Sequence, residues 1–475
     1  MKKWLCVASV LGLCAQWAYG QEDLERFERR MAQYQRETRI MVDHNIPLQQ
    51  RAVIDFGGYF TPTYLSLDDA DGKHHVLREY DLVLYGRLNI DNAQEFFVLG
   101  RGIYRDWAPG DSFDGKPDGA EGRLERAFYR FDLSKYQATK TGEVNVDFNV
   151  VGQAGRQLIY WGNGLTLTEI LDGGSVTVTK GPVDLNFLAG VTPEHTVDFD
   201  SSRPNFEDQT RRGFYGGMLV THVSGHEPYA YVLAQQDYNH DDVAQTRFNY
   251  NSEYIGLGSR GPVTDRLGYS TELVYETGSG LSTSRSLEGG TNPVPQKNEP
   301  IAAYAGDLQL DYLIPDLHKT RITGEAIIAS GDPDREQTSN TIGGNRAGTE
   351  DNAFNAFGLL NTGLAFAPAV SNITVFRLGV STFPLPSFSR TDHLQVGMDA
   401  LLFLKTQRDA PIDENTDDRR YLGIEPDIFL NWQITEDLTL AVRYGVFFPG
   451  PAITSSVTSS DAPRQAFFMG ITYAF

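Results

Sequence analysis

The chain has 475 residues, with 62 acidic against 41 basic side chains and a formal net charge of −21. That excess of acid argues against nucleic acid as a partner. No stretch after the N-terminal leader approaches the roughly 20 apolar residues of a spanning helix.

Residues 1–20 read as a secretory signal peptide: Lys2 and Lys3, an apolar stretch, then Ala18-Tyr19-Gly20 as a small-x-small cleavage site. Both cysteines, Cys6 and Cys14, fall inside it. The expected mature chain, from Gln21, therefore has neither disulfides nor thiolate metal sites. Bulky Leu13 before Cys14 counts against a lipoprotein anchor. Over residues 21–48, Leu24, Phe27, Met31, Tyr34 and Met41 recur at helical spacing. This predicts an amphipathic helix at the periplasmic mouth, either resting there or docking a periplasmic partner.

From residue 51 to 475 the period changes from helical to two. Ile54, Phe56, Gly58 and Phe60 alternate with Asp55, Gly57, Tyr59 and Thr61. Similar runs follow around Leu82, Leu185, Met398, Ile428 and Val442. They exceed the length of ordinary soluble strands and suit strands tilted across a bilayer. The connections alternate between long and short, as loops and periplasmic turns of a barrel do. The prediction is an all-β, antiparallel, up-and-down transmembrane barrel of about 18 strands, with a short N-terminal periplasmic helix. In the last strand Phe467, Met469, Ile471, Tyr473 and Phe475 should face lipid. A terminal strand ending in Phe resembles the signal read by the barrel-assembly machinery. The expected location is the bacterial outer membrane, in contact with lipid and lipopolysaccharide.

Signals for chemistry are weak. His74 and His75 lie in SLDDADGKHH, and GDPDRE and DENTDD are acid-rich, but none has the regular spacing of a metal loop. All three read as solvated. WGNGL lacks the Lys-Ser/Thr of a phosphate loop. The expectation is a channel without cofactor or metal, and not an enzyme.

For a channel the inward residues matter. On ERAFYRFDL, outward Ala127, Tyr129 and Phe131 turn Arg126, Arg130 and Asp132 inward. Arg87, Arg321, Arg377, Lys405 and Arg443 share that phase, but so do Asp81, Glu272, Glu325, Glu425 and Asp427. Two readings stay open: an arginine-lined anion path, or a ladder of ion pairs stiffening the wall.

Three stretches carry a family resemblance: Tyr421 to Ile453 with its Leu-Gly-x-Glu-x-Asp and Gly-x-Phe-Phe-x-Gly patterns, Ala154 to Val178 with Gly-Arg-Gln, and Ala353 to Gly363. They resemble the alginate export family of outer-membrane barrels. The resemblance implies a basic constriction that conducts a polyuronate, with loops plugging the pore. The positions matched to it as substrate-binding residues are Arg87, Arg126, Arg130, Arg156 and Arg443. Export of an anionic exopolysaccharide, alginate or alginate-like, is the first expectation. A porin for small solutes is the alternative, and a surface adhesin or anchor the structural one.

Overall fold

In the computed structural model, strict alternation of apolar and polar side chains is carried by strands of 9 to 17 residues. The structure describes residues 52–475 except 112, 114–118, 142–146, 240, 244–245, 286–293, 343, 389–390 and 455–460. The expected signal peptide and N-terminal helix lie outside the described residues.

The strands are β1 (Ala52–Asp68), β2 (His74–Ile90), β3 (Gln94–Trp107), β4 (Gly119–Asp132), β5 (Phe148–Trp161), β6 (Leu167–Lys180), β7 (Val183–Val191), β8 (Arg212–Thr221) and β9 (Glu227–Asp237). A small hairpin follows, β10 (Asp242–Val243) and β11 (Thr246–Arg247). Then come β12 (Tyr250–Pro262), β13 (Leu267–Leu281), β14 (Asn298–Leu313), β15 (Arg321–Ala329), β16 (Ile373–Thr382), β17 (Leu394–Lys405), β18 (Tyr421–Gln433), β19 (Leu438–Pro449) and β20 (Arg464–Ala474). All but the hairpin form one 18-stranded antiparallel sheet, in which each strand pairs with the next and β9 pairs with β12. β20 pairs back onto β1, from Tyr59↔Ala474 to Leu67↔Ala466, so the sheet has no free edge.

Outward positions are apolar and bare: Phe56 is 82% exposed, and Leu84, Leu273, Leu378, Ile428 and Tyr473 are exposed too. The terminal strand has the predicted phase, with Met469, Ile471, Tyr473 and Phe475 out and Phe468 and Thr472 buried. At the seam, Gly58 and Phe475 exchange backbone hydrogen bonds of 2.9 Å in each direction.

Connections alternate in length. One end carries short turns such as 91–93, 181–182, 263–266 and 434–437, and the other carries 192–211, 282–297, 330–372 and 406–420. By the asymmetry of such barrels the short-turn end is periplasmic. The connection around WGNGL is short although it lies at the long-loop end. β5 runs to Trp161 and β6 restarts at Leu167, because the glycines allow a tight inward turn.

Three loop readings are corrected. His75 is not solvated: it is buried, stacked on Phe113 at 4.1 Å, and hydrogen-bonded to Asp69 (3.0 Å) and Asp111 (2.5 Å). In GDPDRE, Asp332 and Arg335 are buried, and in DENTDD so are Asp413 and Glu414. These loops fold inward, and their acids accept backbone amides or pair with arginines. Asp413 takes the Ala369 amide at 3.0 Å, and Glu414 pairs with Arg464.

Candidate functional site: a clamped segment across the lumen

The long connection 330–372 enters the barrel. Its stretch 353–366 meets the wall at three places that stand roughly a third of the ring apart in the strand order.

The first contact is the β5–β6 turn. Thr168 N donates to Phe357 O at 2.7 Å, and Leu359 N donates to Gly164 O at 3.0 Å. A Cβ on Gly358 would sit 2.0 Å from the Leu165 carbonyl, so only glycine fits this approach. The turn itself is held from the facing wall. Glu272 accepts the Asn163 amide at 2.7 Å and the Tyr231 hydroxyl at 2.5 Å.

The second contact is the inner face of β12 and β13. The Asn355 amide donates to Glu276 at 2.9 Å, and its carbonyl accepts from the Tyr254 hydroxyl at 2.6 Å. Glu276 also accepts the Tyr250 hydroxyl at 2.9 Å.

The third contact is on β18 and β19. Glu425, 1% exposed, accepts three consecutive amides: Leu364, Ala365 (2.7 Å) and Phe366 (2.8 Å). Gly363 has φ +104°, and a Cβ there would lie 3.0 Å from the Glu425 carboxylate. Glycine thus provides both the left-handed bend and the room. Phe366 lies flat on Phe447, with Phe403 edge-on at 5.1 Å.

The strand chemistry explains this seat. Pro426 has no amide to donate, and the β18–β19 ladder skips from Ile424↔Phe448 to Asp427↔Gly445. Glu425 itself stays opposite Leu401 of β17, and its inward phase aims the carboxylate at the segment. Leu-Gly-x-Glu-x-Asp and Gly-x-Phe-Phe-x-Gly therefore supply the carboxylate and the ring of one clamp. The other two resembling stretches supply the segment itself and its first contact.

Beneath the segment, toward the short turns, lies a cavity of ≈ 340 Å³. Asn361 and Leu364 form its roof; Arg321, Arg377 and Arg443 line its wall with Gln395, Asp399 and Asn431. Two of these guanidiniums are partly engaged, Arg377 with Glu325 (2.7 Å) and Arg321 with Asp311 (2.6 Å). Arg443 has Phe429 against its guanidinium at 5.5 Å.

Of the five positions matched by resemblance, Arg443 alone lines this cavity. Arg87, Arg126 and Arg130 face inward on β2 and β4, but Arg156 does not: its register partners Ala127 and Asp172 share the outward face with exposed Val98 and Val191, so the expectation that it lines the pore is corrected. Arg87 pairs with Glu95 at 2.9 Å, and Glu95 is the cross-strand partner of Arg130. Arg156 makes a two-pronged pair with Asp172, both contacts 2.7 Å. Arg321 and Arg377 had the right phase but lay outside the quoted motifs. The ion-pair ladder is present as well: Arg101 sits between Asp81 (2.9 Å) and Glu125 (3.1 Å), and Arg105 pairs with Glu79 (2.8 Å).

The long-loop side is bound tightly. Asp198 and Arg212 pair through two 2.8 Å contacts, and Arg212 covers Phe199, which touches Phe357. Burial alone would raise the Asp198 carboxyl, but the Arg212 and Arg203 charges outweigh it and hold it below its ordinary value. Asp332 goes the other way: burial and then the Asp351 charge push it up to about 6.

The model of the alginate export family matches residues 155–467. No curated protein matches the chain by sequence. Among solved structures, Pseudomonas aeruginosa OccK8 (OprE) aligns over 89% of this chain and 98% of its own, with TM-score 0.55 and 12% identity. P. aeruginosa OpdK with vanillate aligns over the same shares, with TM-score 0.54 and 12% identity. Acinetobacter baumannii OccAB3 covers 89% of this chain and 99% of its own, with TM-score 0.52 and 12% identity. These likenesses establish the outer-membrane barrel fold. The chain is an outer-membrane channel and belongs to the alginate export family.

Proposed function

We propose that this channel exports an anionic exopolysaccharide, alginate or an alginate-like polymer, across the outer membrane. The observation that carries this reading, beside the family, is the arginine-bearing cavity that runs from the short-turn rim to the underside of the clamped segment. Guanidiniums pair with carboxylates in a fork geometry, and the amides of Gln395, Asn431 and Asn361 suit sugar hydroxyls. Arg87, Arg126 and Arg130 form a second inward basic stretch, on β2 and β4. No energy source is implied, so a gradient or a periplasmic partner meeting residues 21–48 drives passage. The C-terminal strand is the part read by the barrel-assembly machinery, and the outer loops meet lipopolysaccharide.

The cavity volume favours a second reading: ≈ 340 Å³ suits a small solute as well as part of a polymer. Single-channel current across a planar bilayer, recorded with and without oligouronate, separates the two. Polymer export predicts a channel small at rest, anion-selective and blocked by oligouronate but not by monomer. A steadily open pore indifferent to oligouronate supports the porin.

A further inference from the structure

We propose that the three consecutive amides of Leu364, Ala365 and Phe366 are a carboxylate-binding site for the transported polymer, which Glu425 fills as an internal stand-in while the channel is closed. The inference rests on the uronate reading above for the identity of its ligand.

The geometry is that of an anion nest. Leu364 and Ala365 N–H groups converge on one Glu425 oxygen, and the Phe366 N–H donates to the other. Successive amides pointing at one spot make a local positive pole that any carboxylate of the right reach can occupy. Gly363 clears the approach: its missing Cβ would stand 3.0 Å from the bound oxygen. The donors belong to the segment that blocks the lumen, and the carboxylate belongs to the wall. Moving the segment must break this contact and leave buried amides in need of an acceptor.

The nest also lies where a polymer would meet it. Leu364 contributes its amide to the nest and also borders the cavity below it. Arg321, Arg377 and Arg443 line that same cavity and would hold successive carboxylates just below. A ligand shifts a closed–open equilibrium only through different affinities for the two states. Competition supplies that difference: a uronate on the nest excludes Glu425, and Glu425 on the nest excludes the uronate. The residue that closes the channel thus carries the chemical group that the channel selects.

The test compares wild-type, Glu425→Ala and Glu425→Gln channels in planar bilayers, with formate replacing chloride at constant ionic strength. Glu425→Ala should raise the resting open probability at least about tenfold, or about 1.4 kcal/mol. Formate, unlike a uronate, is small enough to sit in the space left by the deleted side chain and satisfy the three amides with the segment still seated, so formate, but not chloride, should close it again. Glu425→Gln keeps the shape without the charge, so it should open less and ignore formate. If the alanine variant lacks the fast-migrating folded band on an unheated gel, the glutamine variant decides, and an unchanged open probability there overturns the proposal. So does an opened alanine variant that treats formate and chloride alike. Formate closure together with a wild-type channel indifferent to oligouronate retires the polyuronate reading and keeps the nest. Oligouronate block without formate closure does the reverse.

Discussion

Phe366 lies on Phe447 with ring centroids 4.1 Å apart and planes 4° from parallel, joining the lumen segment to the wall. Both rings are fully buried. Phe447→Ala should weaken this seat by about 3–5 kcal/mol, the usual cost of truncating a buried ring. The outward face of β19 is untouched, so the barrel should still fold. The expected outcome is a higher resting open probability in single-channel records, with unchanged heat-modifiable migration.

Gly358 gives a sharper test of the first contact. Its absent Cβ would stand 2.0 Å from the Leu165 carbonyl, whereas a Cβ on Gly86 would meet nothing within 4 Å. Gly358→Ala should push the segment off the β5–β6 turn and expose 353–366 to protease. Gly86→Ala, in β2, should change neither cleavage nor current.

Acidity should tighten the inward loop. Asp332 accepts the Asp334 and Asn352 amides at 2.8 and 3.1 Å, and its proton is held up to about 6 against an ordinary 3.8. The folded loop binds that proton more strongly than the unfolded chain does. Its stabilising contribution is complete below 3.8 and is lost as pH rises through about 6. Resting current should therefore fall as pH is lowered from 7 to 5 (about one unit either side of that value), and Asp332→Asn should flatten this part of the profile.

Charge reversal distinguishes arginines that line water from those bound into the wall. Arg443→Glu should move the reversal potential in a salt gradient toward cation selectivity, because Arg443 borders the cavity. Arg126→Glu with Arg130→Glu should move it in the same direction if that wall also borders the ion path. An unmoved potential assigns those two to the ion-pair ladder.

The barrel was legible because its physics is local: period two, strand length, alternating loops and a closing aromatic strand all lie in contiguous sequence. The clamp was not. Glu425, Gly164, Glu276 and Phe366 lie far apart in the chain, and an inward carboxylate reads the same whether it meets arginine or a backbone amide. Arg443 was found by phase and motif, Arg321 and Arg377 by phase alone. His75 was misread because polar neighbours suggest solvent, while the Phe113 that buries it comes from another loop. Pro426 within an otherwise regular strand was the one overlooked clue, since a missing donor marks a broken ladder.

A closed ring of tilted strands resists stretching but flattens easily into an oval. The segment 353–366 is tied to that ring at Gly164, Glu276 and Glu425, three points spread around its circumference. Such triangulation braces the cross-section against lateral pressure from the lipid. Loss of the tie at Glu425, as proposed for opening, would remove one leg of that brace and soften the wall beside it, so the same step that frees the segment would give the barrel the pliancy to pass a cargo wider than its resting bore.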